Sequence, residues 1–225
     1  MKTRWAVGGS LGCAAVGLTV WLLADPSAAV GGSATGVAIV TTVPLLEPAG
    51  GEATYIGSSK CKKCHLAEHK SWSGNKHGKA LETLVPDAAP EVKTKHNLDP
   101  KKDYSKDPTC LACHTVGFGK TGGYAVHDEK DEKVAKEMKD LAGVGCEMCH
   151  GAGSEYSKLH EEIMKSKRKY KADEMYAAGM TKMDENVCKT CHNEKGPTFD
   201  KAKPFDFAKM KDLNTHDHSP LKQRE

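Results

Sequence analysis

Apolar side chains recur at helical spacing in four short stretches of this chain: Ala80, Leu81 and Leu84; Val134, Met138 and Leu141; Tyr156, Leu159 and Ile163; Phe207, Met210 and Leu213. Each stretch reads as one face of a short helix whose other face is charged. Ahead of these, Leu66 to Trp72 reads as the continuation of a helix that carries Cys61 to His65, stopped by Ser73-Gly74, and Asn75 caps a second helix running through Leu84. The segment holding Pro86, Pro90 and Pro100 is predicted to be irregular, and Thr115 to Tyr124 a glycine-rich turn with room for a small hairpin. Asp128 to Leu141 reads as a surface helix ended by Gly143, and Ser154 as the cap of the helix that carries Tyr156. A last helix starts near Asp206, after a loop holding Pro197 and Pro204.

The N-terminus is patterned differently. Lys2 and Arg4 precede an uncharged run from Trp5 to Ala24, and Asp25-Pro-Ser-Ala-Ala29 comes next. Residues 1–29 therefore read as a secretory signal peptide or, since the run is about as long as a membrane span, an N-terminal membrane anchor. Cys13 stands one residue away from lipoprotein spacing. Residues 30–52, rich in Gly, Ala, Thr and Pro, read as a flexible linker, and residues 53–225 as one domain. Every reading of the leader delivers that domain outside the cytoplasm, periplasmic or extracellular, or anchored to the outer face of the membrane.

Composition leaves this domain short of a core. Hydrophobic residues are 38% of the chain and aromatics 6%, with only four Phe and three Trp. What replaces the missing apolar mass is announced by the cysteines. Eight of nine fall in four copies of Cys-x-x-Cys-His: Cys61, Cys64 and His65; Cys110, Cys113 and His114; Cys146, Cys149 and His150; Cys188, Cys191 and His192. Two thiols at this spacing reach both vinyl groups of a haem from one helical turn, and the next residue is held beneath the iron as its proximal ligand. Zinc ribbons and redox dithiols also use Cys-x-x-Cys, but neither requires a histidine after every pair. With 11 histidines in 225 residues, four such neighbours would arise by chance roughly six times in a million. The motifs predict four covalently bound c-type haems that form the core of the fold, and no thiols are left for a disulfide framework.

Haem also changes the charge. The formal net charge is +3, but Lys2, Arg4 and Asp25 belong to the leader and four haems bring about eight propionates, so the reduced holoprotein carries roughly −6. No nucleic-acid partner is implied. Nor does any catalytic triad, nucleotide-binding loop or pair of carboxylates stand out.

Seven histidines remain for the second axial positions. His77 at the start of a helix, His160 on the apolar stripe of another, and His216 beyond Leu213 are aimed inward and are the candidates; His218 is the alternative to His216. His69 and His96 read as solvated, and His127 is unassigned. A basic cluster of Lys165, Lys167, Arg168, Lys169 and Lys171 is a solvated helix end or a docking patch for an acidic redox partner.

Several stretches carry a family resemblance: Ser71-Trp72 with His77-Gly-Lys-Ala-Leu-Glu82, Leu98-Asp-Pro-Lys-Lys-Asp-Tyr104, Gly117-Phe-Gly with Gly122-Gly-Tyr124, and Gly143-Val-Gly-Cys-Glu147. Over roughly residues 55–218 the chain resembles the cytochrome c-554 family, tetrahaem proteins that take electrons from hydroxylamine oxidoreductase in ammonia-oxidising bacteria. The resemblance implies a mainly α-helical fold with little sheet and haems stacked in close pairs. It implies His160 as distal ligand of the first haem, His77 of the third and His216 of the fourth, with the second haem, at His114, five-coordinate. Two departures, a shorter loop after the fourth motif and the presence of His127, lead to the alternative that His127 or a histidine of another subunit closes that site.

The expected role is an electron carrier, not an enzyme. Four largely bis-histidine haems would relay electrons between a donor and an acceptor protein. Two other roles stay open: small-molecule chemistry, such as with nitric oxide, at a five-coordinate second haem, and a homo-oligomeric filament sharing ligands between subunits.

Overall fold

The computed structural model describes residues 52–213 and 215–225, all within a compact unit spanning Glu47–Glu225. The signal-or-anchor segment and nearly all of the linker lie outside the described residues. Among the described residues no helix is long and apolar enough to cross a membrane.

The architecture is helical, without a sheet among the described residues. Short helices run in the order α1 Ser58–Lys62, α2 Leu66–Gly74, α3 Pro90–Lys95, α4 Pro108–His114, α5 Glu132–Asp140, α6 Cys146–His150, α7 Tyr156–Ser166, α8 Ala172–Ala177, α9 Glu185–Lys189 and α10 Phe207–Met210. Aspartates start four of them. Asp107 accepts from Thr109 N ahead of α4, Asp131 from Val134 N ahead of α5, Asp184 from Asn186 N and Val187 N ahead of α9, and Asp206 from Lys209 N ahead of α10. Each satisfies backbone donors that a first helical turn leaves without partners.

Several local expectations give way. The helix of the first cysteine motif does not run on into Leu66: α1 ends at Lys62, and α2 starts afresh after His65, whose backbone is not helical. Asn75 does cap, its Oδ1 accepting from Gly78 N at 3.0 Å, but residues 76–80 form turns and only Leu81–Leu84 is helical, as a single 3-10 turn. Pro90 opens α3 instead of breaking the segment, since a proline in the first turn gives up no hydrogen bond. The glycine-rich stretch forms turns and one isolated bridge between Thr115 and Ala142, not a hairpin. Ser154 does not cap α7: its hydroxyl accepts from Thr54 N at 2.9 Å, so a contact a hundred residues away in sequence has outcompeted the local one. α8 has no counterpart in the apolar pattern; the Lys171 backbone N–H donates to Glu174 Oε1 at 2.9 Å and starts it. α10 is one turn long and ends before Leu213 and His216.

Among the described residues, buried apolar side chains gather in two clusters. The larger joins Leu84, Tyr104, Leu111, Val116, Tyr124, Met138 and Leu141; the smaller joins Ile163, Tyr170 and Met175. Of these buried residues only Leu111 belongs to a cysteine motif.

Candidate haem-binding site

All four motifs adopt the same local geometry. In the first, His65 N donates to Cys61 O at 2.9 Å, and in the fourth His192 N donates to Cys188 O at 3.0 Å. The second lies wholly within α4 and the third is α6 itself. One helical turn thus sets the two thiols and the histidine of each motif on one side, as thioether attachment to a porphyrin requires.

Long-range contacts then bring histidines together in pairs. The rings of His65 and His160 are stacked with centres 5.8 Å apart, His77 and His192 stand 6.1 Å apart, and His150 and His216 stand 6.2 Å apart. The stacked rings of His192 and Phe205 are closer, at 4.6 Å, whereas edge-on contacts such as His160 with Tyr170 reach 5.9 Å. An iron bonded to two facing imidazoles, with metal–nitrogen distances of about 2 Å, separates ring centres by about 6 Å. The three pairs therefore fit one iron each. Their pairing reverses part of the expectation from family resemblance: His77 faces the fourth motif and His216 the third.

The partners of each pair are held by backbone contacts that no local pattern announces. Val144 N donates to His77 O at 2.9 Å, and Gly143, at φ +76°, lies so close that an added Cβ would stand 2.5 Å from Gly78 O. The C-terminal segment is tied to α2 through Asp217 N to Ser71 Oγ at 3.0 Å, Ser219 N to Glu68 Oε1 at 3.2 Å, and the Asn75 amide to Thr215 O. These ties bring His216 to His150, and the His218 ring packs against that of His216.

At three of the paired imidazoles burial favours the neutral form that binds a metal. His150 is pushed down to about 4, first by desolvation and then by neighbouring His216 and His65, and its Nδ1 is buried without a hydrogen-bond partner. His160 and His192 are lowered too, again mainly by burial. His69 is not solvated as expected but half-buried, edge-on to Trp72 at 5.2 Å, and burial lowers it as well.

The second motif differs. Its His114 Nδ1 lies 2.7 Å from Ala80 O; a carbonyl can only accept, so Nδ1 carries the proton and Nε2 is left to face a metal. Among the described residues no histidine ring is paired with it. His127 is turned elsewhere, its Nδ1 3.1 Å from Ala125 O and its ring against Tyr124 at 6.0 Å.

The thiols also report which motifs are neighbours. Cys61 and Cys146 lie within hydrogen-bonding reach of each other, as do Cys113 and Cys191. Cys149 lies within electrostatic reach of Cys188 and Cys191, and burial pushes it up to about 11. The motifs are thus ordered in space as first, third, fourth, second. All eight motif cysteines are free, and among the described residues no three His, Cys, Asp or Glu side chains converge on a metal-sized point. That is not the geometry of a zinc ribbon. Beside the fourth motif an open groove of about 930 Å³ is walled by Phe205, Phe207 and Met210, apolar surface suited to a macrocycle.

Four motifs that each offer two thiols and an imidazole on one helical turn, three of them facing a second imidazole across the width of a metal ion, define a c-type cytochrome. The family described as cytochrome c554 and c-prime matches residues 60–151. Cytochrome c-554 of Nitrosomonas europaea is 37% identical over 145 residues, which span 63% of this chain and 58% of that protein. The solved structure of reduced cytochrome c554 from the same organism superposes with a TM-score of 0.67 at 33% identity, covering 78% of this chain and 91% of that one. The chain belongs to the cytochrome c-554 family. It is a c-type haem protein of mainly helical fold.

Proposed function

We propose that this chain carries four c-type haems and passes electrons between two redox proteins outside the cytoplasmic membrane. The observation that carries the reading is the set of three facing imidazole pairs, His65 with His160, His192 with His77, and His150 with His216. When bound, the haems supply reversible one-electron oxidation and reduction of iron. The chain's own part is to hold two neutral imidazoles rigidly at each of three sites, so that the coordination shell is the same before and after electron transfer. The thiol contacts give the route its order, from the first motif through the third and fourth to the second. The N-terminal leader supports placement outside the cytoplasm, either free after cleavage or held by an anchor. Neither the donor nor the acceptor is a nucleic acid, since the holoprotein is expected to be acidic.

Mass spectrometry of the native protein tests the count: four added haem masses are expected, and fewer than four overturn it. EPR of the oxidised protein tests the ligation, with three low-spin ferric signals expected.

A second reading rests on His114, which no histidine ring faces among the described residues. It predicts one five-coordinate, high-spin haem open to a small ligand such as nitric oxide or carbon monoxide. Carbon monoxide added to the reduced protein should change the absorption of one haem in four. An unchanged spectrum would instead favour closure by a histidine of a second subunit, the arrangement that a filament would use.

A further inference from the structure

Within the third motif, Cys146-Glu-Met-Cys-His150, the second position is a carboxylate, and it is buried. Glu147 is 3% exposed. Its Oε1 accepts from Gly153 N at 2.7 Å and from Ile56 N at 3.0 Å, and its Oε2 accepts from Gly57 N at 2.8 Å and from Ile56 N at 3.1 Å. Both oxygens accept from backbone donors, the pattern of a carboxylate, and among the described residues no cation is paired with it. The fit is close: a Cβ added at Gly153 would stand 2.9 Å from Oε1. The same position in the other motifs is Lys62, Leu111 or Lys189, so the motif chemistry itself does not call for an acid. A solvated surface position would serve a charge at far lower cost.

Its surroundings give a reason for keeping a charge there. Glu147 lies within electrostatic reach of Cys61, Cys146 and Tyr156, between the first and third motifs, whose thiols are within hydrogen-bonding reach of each other. A negative charge in a low-dielectric interior acts strongly on any neighbouring group that gains or loses an electron. Oxidised iron carries one more positive charge than reduced iron, so such a carboxylate favours the oxidised state.

We propose that Glu147 is a positioning and potential-setting residue: its buried carboxylate ties residues 56–57 to the third motif and lowers the midpoint potentials of the haems on the first and third motifs relative to the other two. This rests on the reading of the motifs as haem sites. It adds a second role to a residue that would otherwise be only a brace.

The test is a reductive titration with dithionite and an oxidative return with ferricyanide, monitored by EPR and visible absorption, on the wild-type holoprotein and on the neutral variants Glu147→Gln and Glu147→Asn. Glu147→Asp, which keeps the charge, and Glu161→Gln, which removes a charge from the exposed face of α7, are the controls. The neutral variants should favour reduction of two haems at least tenfold, an upward shift of about 59 mV for one electron, and leave the other two within a small fraction of that. The two controls should stay near the wild-type potentials. Four haems with unchanged potentials in a neutral variant would overturn the proposal, as would an equal shift of all four. So would failure of every neutral variant to load four haems, since Glu147 would then be a brace and nothing more. Absence of haem from the wild-type protein would instead remove the haem reading itself, so the two failures are told apart.

Discussion

The second motif is held in place by different physics from the first and the fourth. α4, which carries Cys110, Cys113 and His114, has its own apolar anchor: Leu111 is 0% exposed and packs with Leu84, Tyr104 and Val116 in the larger cluster. The Thr115 hydroxyl donates back to Leu111 O at 2.7 Å, and Asp107 caps the start. By contrast α2 and α9, beside the first and fourth motifs, contain no buried residue, and neither does α10. What those motifs have is a facing histidine from a distant part of the chain. His65 and His160 are about 95 residues apart, and a metal bridge between them closes a loop of that length, as a cross-link would. The contrast teaches that, on the proposed ligation, an axial ligand from afar doubles as tertiary structure, whereas a motif that no histidine ring faces among the described residues is seated by ordinary packing.

The most severe way to break the contrast is to withhold haem. The haem-free chain should lose cooperative thermal unfolding by circular dichroism, because its core goes with the cofactor; any residual amide protection in hydrogen exchange should concentrate in the Leu111 cluster. Next come the facing ligands. His77→Ala, His160→Ala and His216→Ala should each convert one low-spin haem to high-spin by EPR and lower stability by about 4 kcal/mol, the scale of a lost long-range cross-link. His127→Ala should leave the spin states unchanged.

Leu111→Ala tests the other side. A loss of about 2–5 kcal/mol in denaturant unfolding is expected, with the three facing-pair EPR signals intact. Acid should act chiefly on the paired sites. Histidines of the unfolded chain take up protons near pH 6.5 whereas iron-bound imidazoles do not, so the contribution of the pairs is present above about pH 6.5 and shrinks as pH falls from there towards about 4. Melting temperatures should fall across that window and stay flat above it. The smallest effect is expected at the caps: Asp184→Ala and Asp107→Ala should each cost about 1 kcal/mol, with the α9 variant also loosening the fourth motif.

The candidate site is unevenly legible in the sequence. His77, His160 and His216 stand out by where they sit relative to short apolar stripes, and all three face a motif histidine. Which motif each one faces is not legible: Gly143 packed against Gly78, and the ties from Asp217 and Ser219 to α2, decide it. Glu147 belongs to a recognisable stretch, yet nothing local marks it as buried. Its partners Ile56 and Gly57 lie some ninety residues away, beyond the reach of any periodicity argument. Ser154 fails as a cap for the same reason, its hydroxyl being taken by Thr54.

By itself the amino-acid sequence determined the chemistry of this protein: the number and spacing of thiol pairs, the histidine beside each, the shortage of apolar mass, and hence a helical chain built around porphyrins. Those are properties of one helical turn and of composition, and a turn is complete within five residues. Only the tertiary structure decided the order of the motifs in space, which imidazole each of three motif histidines faces, that no histidine ring among the described residues faces the second motif, and the burial of one carboxylate. Each of these depends on backbone and side-chain contacts between segments tens of residues apart, whose loop-closure cost and geometry no local window contains.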